Sequence, residues 1–273
     1  MALSIVDLYT KALPKTNCKE CGFSTCMAFA SMVVSEKHPL KNCPYIKPEL
    51  LEDFQKELEE QYKAGKWLKK DPAQDALNWA KERAASMKLD ELPQRIGGEL
   101  KTEGQTTYLE LPYFNDWIII KEDSICKKDK TPLNRWEQVF IYNHMAQGGS
   151  VEPVGKWKGL VEFPNTVSKV KSMKEHIEEP LIEFFSGKTK DLLKAGLKIG
   201  GKTVEEKDKS ADVALLFKPL PKIPVMLMFW DGEEKEEFQA QVKLLFDETI
   251  VQHLDIESIL FLSERLKQLL CEE

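Results

Sequence analysis

The apolar positions of the chain fall into short periodic runs, and their period changes along its length. From Ser4 to Leu13, Ile5, Leu8 and Tyr9 recur at helical spacing until Pro14 stops the run. Cys26 to Val34 is almost wholly apolar and reads as a buried helix, with Pro39 and Pro44 bracketing the return to Cys43. Pro48 opens another helix as its first residue; Leu50, Leu51, Phe54, Leu58 and Tyr62 share one face, and Gly65 ends it. Residues 67–72 read as a linker, and a helix capped by Asp71 runs to about Met87.

Beyond that point the pattern is mixed. Thr106–Leu111 alternates and Trp117–Ile120 is apolar, which predicts a hairpin. Helices are expected over Pro132–Gln147, over Met173–Phe185 with an interruption at Pro180, and over Ile256–Leu270. Val213–Phe217 and Val225–Trp230 read as strands on either side of a proline-rich bend, with Asp231-Gly232 as a turn. The order of elements predicts an α+β fold class: a small helical module over 1–65 and a mixed α+β domain over 66–273. There is no internal repeat.

Composition narrows the function. Hydrophobic residues make up 42% and charged residues 31%, values of an ordinary globular protein. A net charge of −6 argues against a nucleic-acid binder. The longest apolar stretches fall far short of the roughly 20 residues of a spanning helix. The start, MALSIVDLYTKALPKTNC, lacks the basic, apolar and small-residue pattern of a secretory leader, so a cytoplasmic location is expected.

The cysteines carry the chemistry. Four of six fall within 26 positions in the spacing C-x2-C-x4-C-x16-C, as Cys18, Cys21, Cys26 and Cys43; Cys126 and Cys271 stand apart. A 4Fe–4S cube needs four thiolates, three from a tight loop and one from a segment that folds back. Gly22 gives the loop unusual backbone angles, and Cys26 gains from a helix start. Zinc is the alternative, although its sites usually bring two short C-x2–4-C pairs and only one is present.

KTNCKECGFSTCMAFASMVVSEKHPLKNCPYI closely resembles the 4Fe–4S module of the large subunit of the corrinoid iron–sulfur proteins, and is similar to the N-terminal domain of the ferredoxin-like B subunit of Rnf complexes. The resemblance covers about residues 12–46. It implies a low-potential one-electron carrier on these four cysteines, anaerobic metabolism, and a redox partner, a corrinoid protein among the candidates. The later segments PLPKIPV, at 219–225, and F…LFD…HL, between Phe238 and Leu254, are similar to a domain of unknown function found in anaerobes. No cobalamin-binding segment is recognisable.

Other residues enter beside a plainer reading. His253 would serve as an axial ligand to a corrinoid or tetrapyrrole, or as a half-buried histidine bonded to backbone. Trp136, Trp157 and Trp230 would line a pocket for a flat ligand, or simply be core. His144 and His176 lie on amphipathic helices, and His38 within the cysteine loop. The acidic run from Asp231 to Glu237 reads as a solvated turn, and Gly196–Gly201 lacks the context of a phosphate loop. Three functions are open on these grounds: an iron–sulfur electron carrier, a cofactor-binding protein or enzyme using His253, and an assembly module whose cluster is a structural staple.

Overall fold

A computed structural model describes residues 3–65, 71–204, 211–232 and 239–272. The chain forms two compact units, Met1–Pro72 and Ala73–Glu273.

The first unit is helical. α1 (Ile5–Lys11) starts at a capping box: the Ser4 hydroxyl accepts from the Asp7 amide while Asp7 accepts from the Ser4 amide. α2 (Cys26–Glu36) is capped by Thr25, whose hydroxyl accepts from the Ala28 amide, and ends on left-handed Lys37. A 3₁₀ turn at Leu40–Asn42 leads to α3 (Pro48–Lys63), with Pro48 in its first turn. Leu8, Phe29, Ala30, Val33, Val34 and Leu58 form a small core, with Leu50, Leu51, Phe54 and Tyr62 packed against it. Gln61 of α3 closes it, accepting from the Leu3 amide at 2.7 Å and donating to the Leu3 carbonyl at 3.1 Å. The expected face of α3 is therefore the buried one.

In the second unit, α4 (Pro72–Ala84) and α5 (Leu92–Ile96) precede an antiparallel meander of β1 (Glu99–Glu103), β2 (Thr106–Tyr113), β3 (Asp116–Ile120) and β4 (Ile125–Lys127). α6 (Arg135–Gln147) follows on an Asn134–Glu137 capping box. A five-stranded antiparallel sheet has the order β5-β9-β8-β7-β6, from β5 (Trp157–Gly159), β6 (Lys202–Thr203), β7 (Val213–Leu220), β8 (Ile223–Trp230) and β9 (Gln241–Asp247). Between β5 and β6 run α7 (Val167–Met173), a π-helical segment (Lys174–Glu178), α8 (Glu179–Phe185) and α9 (Thr189–Lys198). α10 (Ile256–Cys271) ends the chain. β8 is central and buried along nearly its whole length, so its sequence is a continuous apolar run.

Three features differ from the pattern-based reading. The helix expected from Met173 begins at Val167 and passes Pro180 without breaking. The π turn just before Pro180 adds a residue, so the ring sits in the first turn of α8 instead of against the preceding helical carbonyl. The proline-rich bend is only the two-residue turn Pro221-Lys222, because β7 and β8 extend through Pro219 and Pro224. An irregularity between Phe217 and Leu220 accommodates them, and the Pro219 carbonyl accepts from the Phe114 amide at 3.0 Å. Gly196 and Gly201 serve packing: a Cβ at Gly196 would lie 2.4 Å from Leu215 Cδ1, and one at Gly201 2.6 Å from Phe217.

Candidate metal centre

The cysteine loop is built by side chains that hold its backbone in tight turns. Lys15, Asn17, Lys19 and Gly22 all have positive φ, between 51° and 86°. Such turns aim amide groups inward and make concavities suited to anionic groups. Asn17 tolerates this conformation and anchors the loop, its Oδ1 accepting from the Cys26 amide at 2.8 Å. Cys26 is the first residue of α2, at the positive end of the helix dipole. The return segment is tied to the loop by the Tyr45 hydroxyl, which donates to Glu20 at 2.5 Å.

The four thiols grade from surface to interior: Cys18 is exposed, Cys21 half-buried, Cys26 and Cys43 buried. Burial pushes the Cys43 thiol up, and nearby Cys21, Cys26 and Cys18 push it in the same direction, while the Tyr45 amide opposes them. Cys43 thus lies within electrostatic reach of the other three thiols. Among the described residues no three or more His, Cys, Asp or Glu side chains gather closely enough for a single metal ion. A cube places each thiolate on a different iron, so its ligands stand further apart than those of a mononuclear ion.

A three-ring cluster backs the loop. Phe23 packs on Phe29 at 5.7 Å, and the edge of His38 meets both, at 5.1 and 5.8 Å. Asn42 holds His38 through Nε2 at 3.0 Å. His38 is therefore part of the support. Asn17, Thr25, Tyr45 and Glu20 were not singled out from sequence; the cap signal of Thr25 before an apolar run was available there.

The candidates in the second unit are not assembled into a site. His253 is fully buried rather than half-buried, and its Nε2 donates to the Val151 carbonyl at 3.0 Å. A ring metal has no access to it in this conformation. His144 packs beside it at 5.6 Å and donates from Nδ1 to the His253 carbonyl at 3.2 Å. Each ring's second nitrogen, His144 Nε2 and His253 Nδ1, is buried with no hydrogen-bond partner among the described residues. Burial holds both histidines neutral, lowering His253 and taking His144 down to about 3. Trp136 stacks on Phe261 at 4.5 Å, Trp230 pairs with Gln241 at the end of β8, and Trp157 pairs with Asp247 in β5. His176 is exposed in the π segment.

A cleft of about 1350 Å³ lies along the π segment and β9, lined by Glu178, Glu183, Asp231, Gln241 and Lys243 among others. Neither His253, Trp136 nor Trp230 belongs to its described lining. Asp231 is engaged by backbone, accepting from the adjacent Gly232 amide and, across 44 positions, from the Gly187 amide. Glu233, Glu234, Glu236 and Glu237 of the acidic run, and 66–70 of the expected linker, lie outside the described residues. Cys126 pairs with Ile119 in β4, and burial raises the Cys271 thiol.

Residues 13–45 match the family described as "Putative Fe-S cluster". Over 46 residues the chain is 50% identical to the corrinoid/iron-sulfur protein large subunit of Moorella thermoacetica, covering 17% of this chain and 10% of that one. It is 39% identical over 56 residues to the acetyl-CoA decarbonylase/synthase complex subunit gamma of Methanocaldococcus jannaschii, covering 20% and 11%. The subunit gamma of Methanopyrus kandleri is 43% identical over 53 residues, covering 19% and 11%. The chain thus spans about a tenth of the length of these curated relatives. No solved structure matches it. Residues 88–269, more than half of the chain, match one family, and the protein belongs to it: the family described as "Domain of unknown function (DUF3786)".

Proposed function

We propose that the protein is an iron–sulfur electron-transfer protein whose cluster, of the 4Fe–4S type, is held by Cys18, Cys21, Cys26 and Cys43. The observation that supports this reading is the C-x2-C-x4-C-x16-C spacing inside a segment that matches an iron–sulfur family, with the other three thiols within electrostatic reach of Cys43. The donor set fits the cofactor: sulfur only, four in number, in a loop of left-handed turns. When bound, the cluster supplies reversible one-electron chemistry. The chain's own residues shape that chemistry. Cys26 and Cys43 fix the inner side within the small apolar core, Phe23, Phe29 and His38 exclude water behind it, and exposed Cys18 leaves one edge open to a partner. Met27, 39% exposed, stays outside that dry shell. The Tyr45 amide beside Cys43 favours its charged form.

The recipient is a redox partner, with a corrinoid protein as the first candidate because one relative of the module carries that word in its name. The commitment of His253 to Val151 speaks against a corrinoid or tetrapyrrole on that residue. Among the described residues no helix is long and apolar enough to cross a membrane. The test is spectroelectrochemistry of the anaerobically prepared chain. A reversible one-electron wave with a visible bleach supports electron transfer; a cluster that cannot be reduced without loss of helix signal would make it a structural staple.

A further inference from the structure

The first unit separates its charges. Between Lys11 and Lys47 there are six lysines against two glutamates, whereas α3 carries six acidic residues and two lysines. Within the cysteine segment Glu20 accepts from the neutral Tyr45 hydroxyl and keeps its charge, and Glu36 has a partner of its own. Lys11 is neutralised by Asp7 at 2.7 Å. Lys15, Lys19, Lys37, Lys41 and Lys47 remain, all exposed, five cations against those two acids. Lys15 lies over the Tyr9 ring and Lys37 over the Tyr62 ring, which leaves Lys19, Lys41 and Lys47 about the cysteines. Lys19 directly follows the exposed Cys18, and Lys41 and Lys47 flank the Cys43 segment, which the Tyr45–Glu20 bond joins to the first loop. Met27 and Tyr45, 39% and 52% exposed, stand next to Cys26 and near Cys43.

We infer that this lysine-rimmed face is where an acidic redox protein docks to exchange one electron with the cluster, an inference that rests on the proposed cluster. The cluster loses the electron that the partner gains, or the reverse, and no bond is made or broken. Apolar and aromatic contacts within a charged rim are the anatomy of a protein interface. Nucleic acid is the poorer fit, since residues 1–65 contain no arginine, the side chain best matched to phosphates and base edges. A second copy offers acidic α3 but brings no electron acceptor on that helix. Opposite charges across the face would speed encounter and place the partner over Cys18.

The test uses the whole chain with its cluster reduced, oxidised in a stopped flow by the cobalt(III)–EDTA anion or the hexaamminecobalt(III) cation. The anion's rate constant is expected to fall as ionic strength rises from about 0.01 to about 0.5 M, because screening removes an attraction. The combined variant Lys19→Gln, Lys41→Gln, Lys47→Gln, with unchanged iron content, should lose about threefold or more of the anion's rate at low salt, and the cation's rate should rise. An anion rate that climbs with salt, or a variant that behaves as the wild type, would overturn the inference. So would lysine-dependent binding of a DNA duplex, or a lysine-dependent dimer in sedimentation, since each gives the face another occupant. A chain without a reducible cluster removes the proposed function and this face together; a reducible cluster with the wrong salt response removes the face alone.

Discussion

The two units bury their side chains for opposite ends. In the first, a few helices support a loop whose backbone is left-handed at four positions, and the reactive thiols run from buried to exposed. In the second, two antiparallel sheets and the helices α4 to α10 form an extended core, and the buried polar groups are turned on one another. Glu137 shows this best. It is buried, accepts from Tyr113 at 2.8 Å and Arg265 at 2.9 Å, and caps its own helix through Asn134. His144 and His253 are each tied by one nitrogen to a backbone carbonyl. The comparison teaches that a buried histidine or carboxylate is not by itself a site, and that chemistry is better sought where the backbone is bent around several donors that reach from the interior to the surface.

Removing the metal should break the comparison most severely. A unit with so small a core is expected to depend on its ligand for folding. Chelation of iron is expected to abolish amide-exchange protection across α1–α3 while β7, β8 and β9 keep theirs. Equal loss in both would show that they fold as one.

Glu137→Ala should strike only the second unit. It leaves half-buried Arg265 with only the exposed Glu272 carboxylate at 3.0 Å and takes away the acceptor of Tyr113. The cost is about 3 kcal/mol, at the low end for a broken buried pair, read as a lower urea midpoint with the visible spectrum intact. A smaller effect comes from pH. His144 binds no proton in the folded state until pH falls to about 3, whereas the unfolded chain binds one below about 6.5. Its contribution is thus fully present above 6.5 and is lost as pH drops, by about 1.4 kcal/mol per unit within that window. Between pH 6.5 and 5 the second unit should lose about 2 kcal/mol, and His144→Gln should flatten the slope. Urea titrations at several pH values measure both.

Thr25→Ala should be the mildest, costing about 1 kcal/mol at the start of α2. Faster iron release to a chelator, with no shift in the second unit's melt, would register it.

Sequence pattern revealed the elements with strong periodicity or clear punctuation. α1, α2, α3 and α10 fall close to their expected bounds because Ser4, Pro14, Pro48 and Asp255 mark ends that local chemistry dictates. β1 escaped notice because Glu99, Lys101, Thr102 and Glu103 are polar, as an edge strand permits. β9 alternates with only three inward apolar residues, Val242, Leu244 and Phe246, and α9 hides its contact face behind Gly196. At the candidate site, spacing alone pointed to the four cysteines. Asn17, Tyr45 and Glu20 were invisible, because their roles come from bonds that span 9 and 25 positions.

Every redox role given to this protein depends on four particular sulfurs holding a metal–sulfide cube. Iron and acid-labile sulfide should be counted in chains prepared without oxygen, for the wild type and for single Cys→Ser variants at all six cysteines. About four of each per wild-type chain are expected, with a marked loss for Cys18, Cys21, Cys26 and Cys43, and none for Cys126 and Cys271. Zinc in place of iron, or full iron retention in all four loop variants, would contradict the cube.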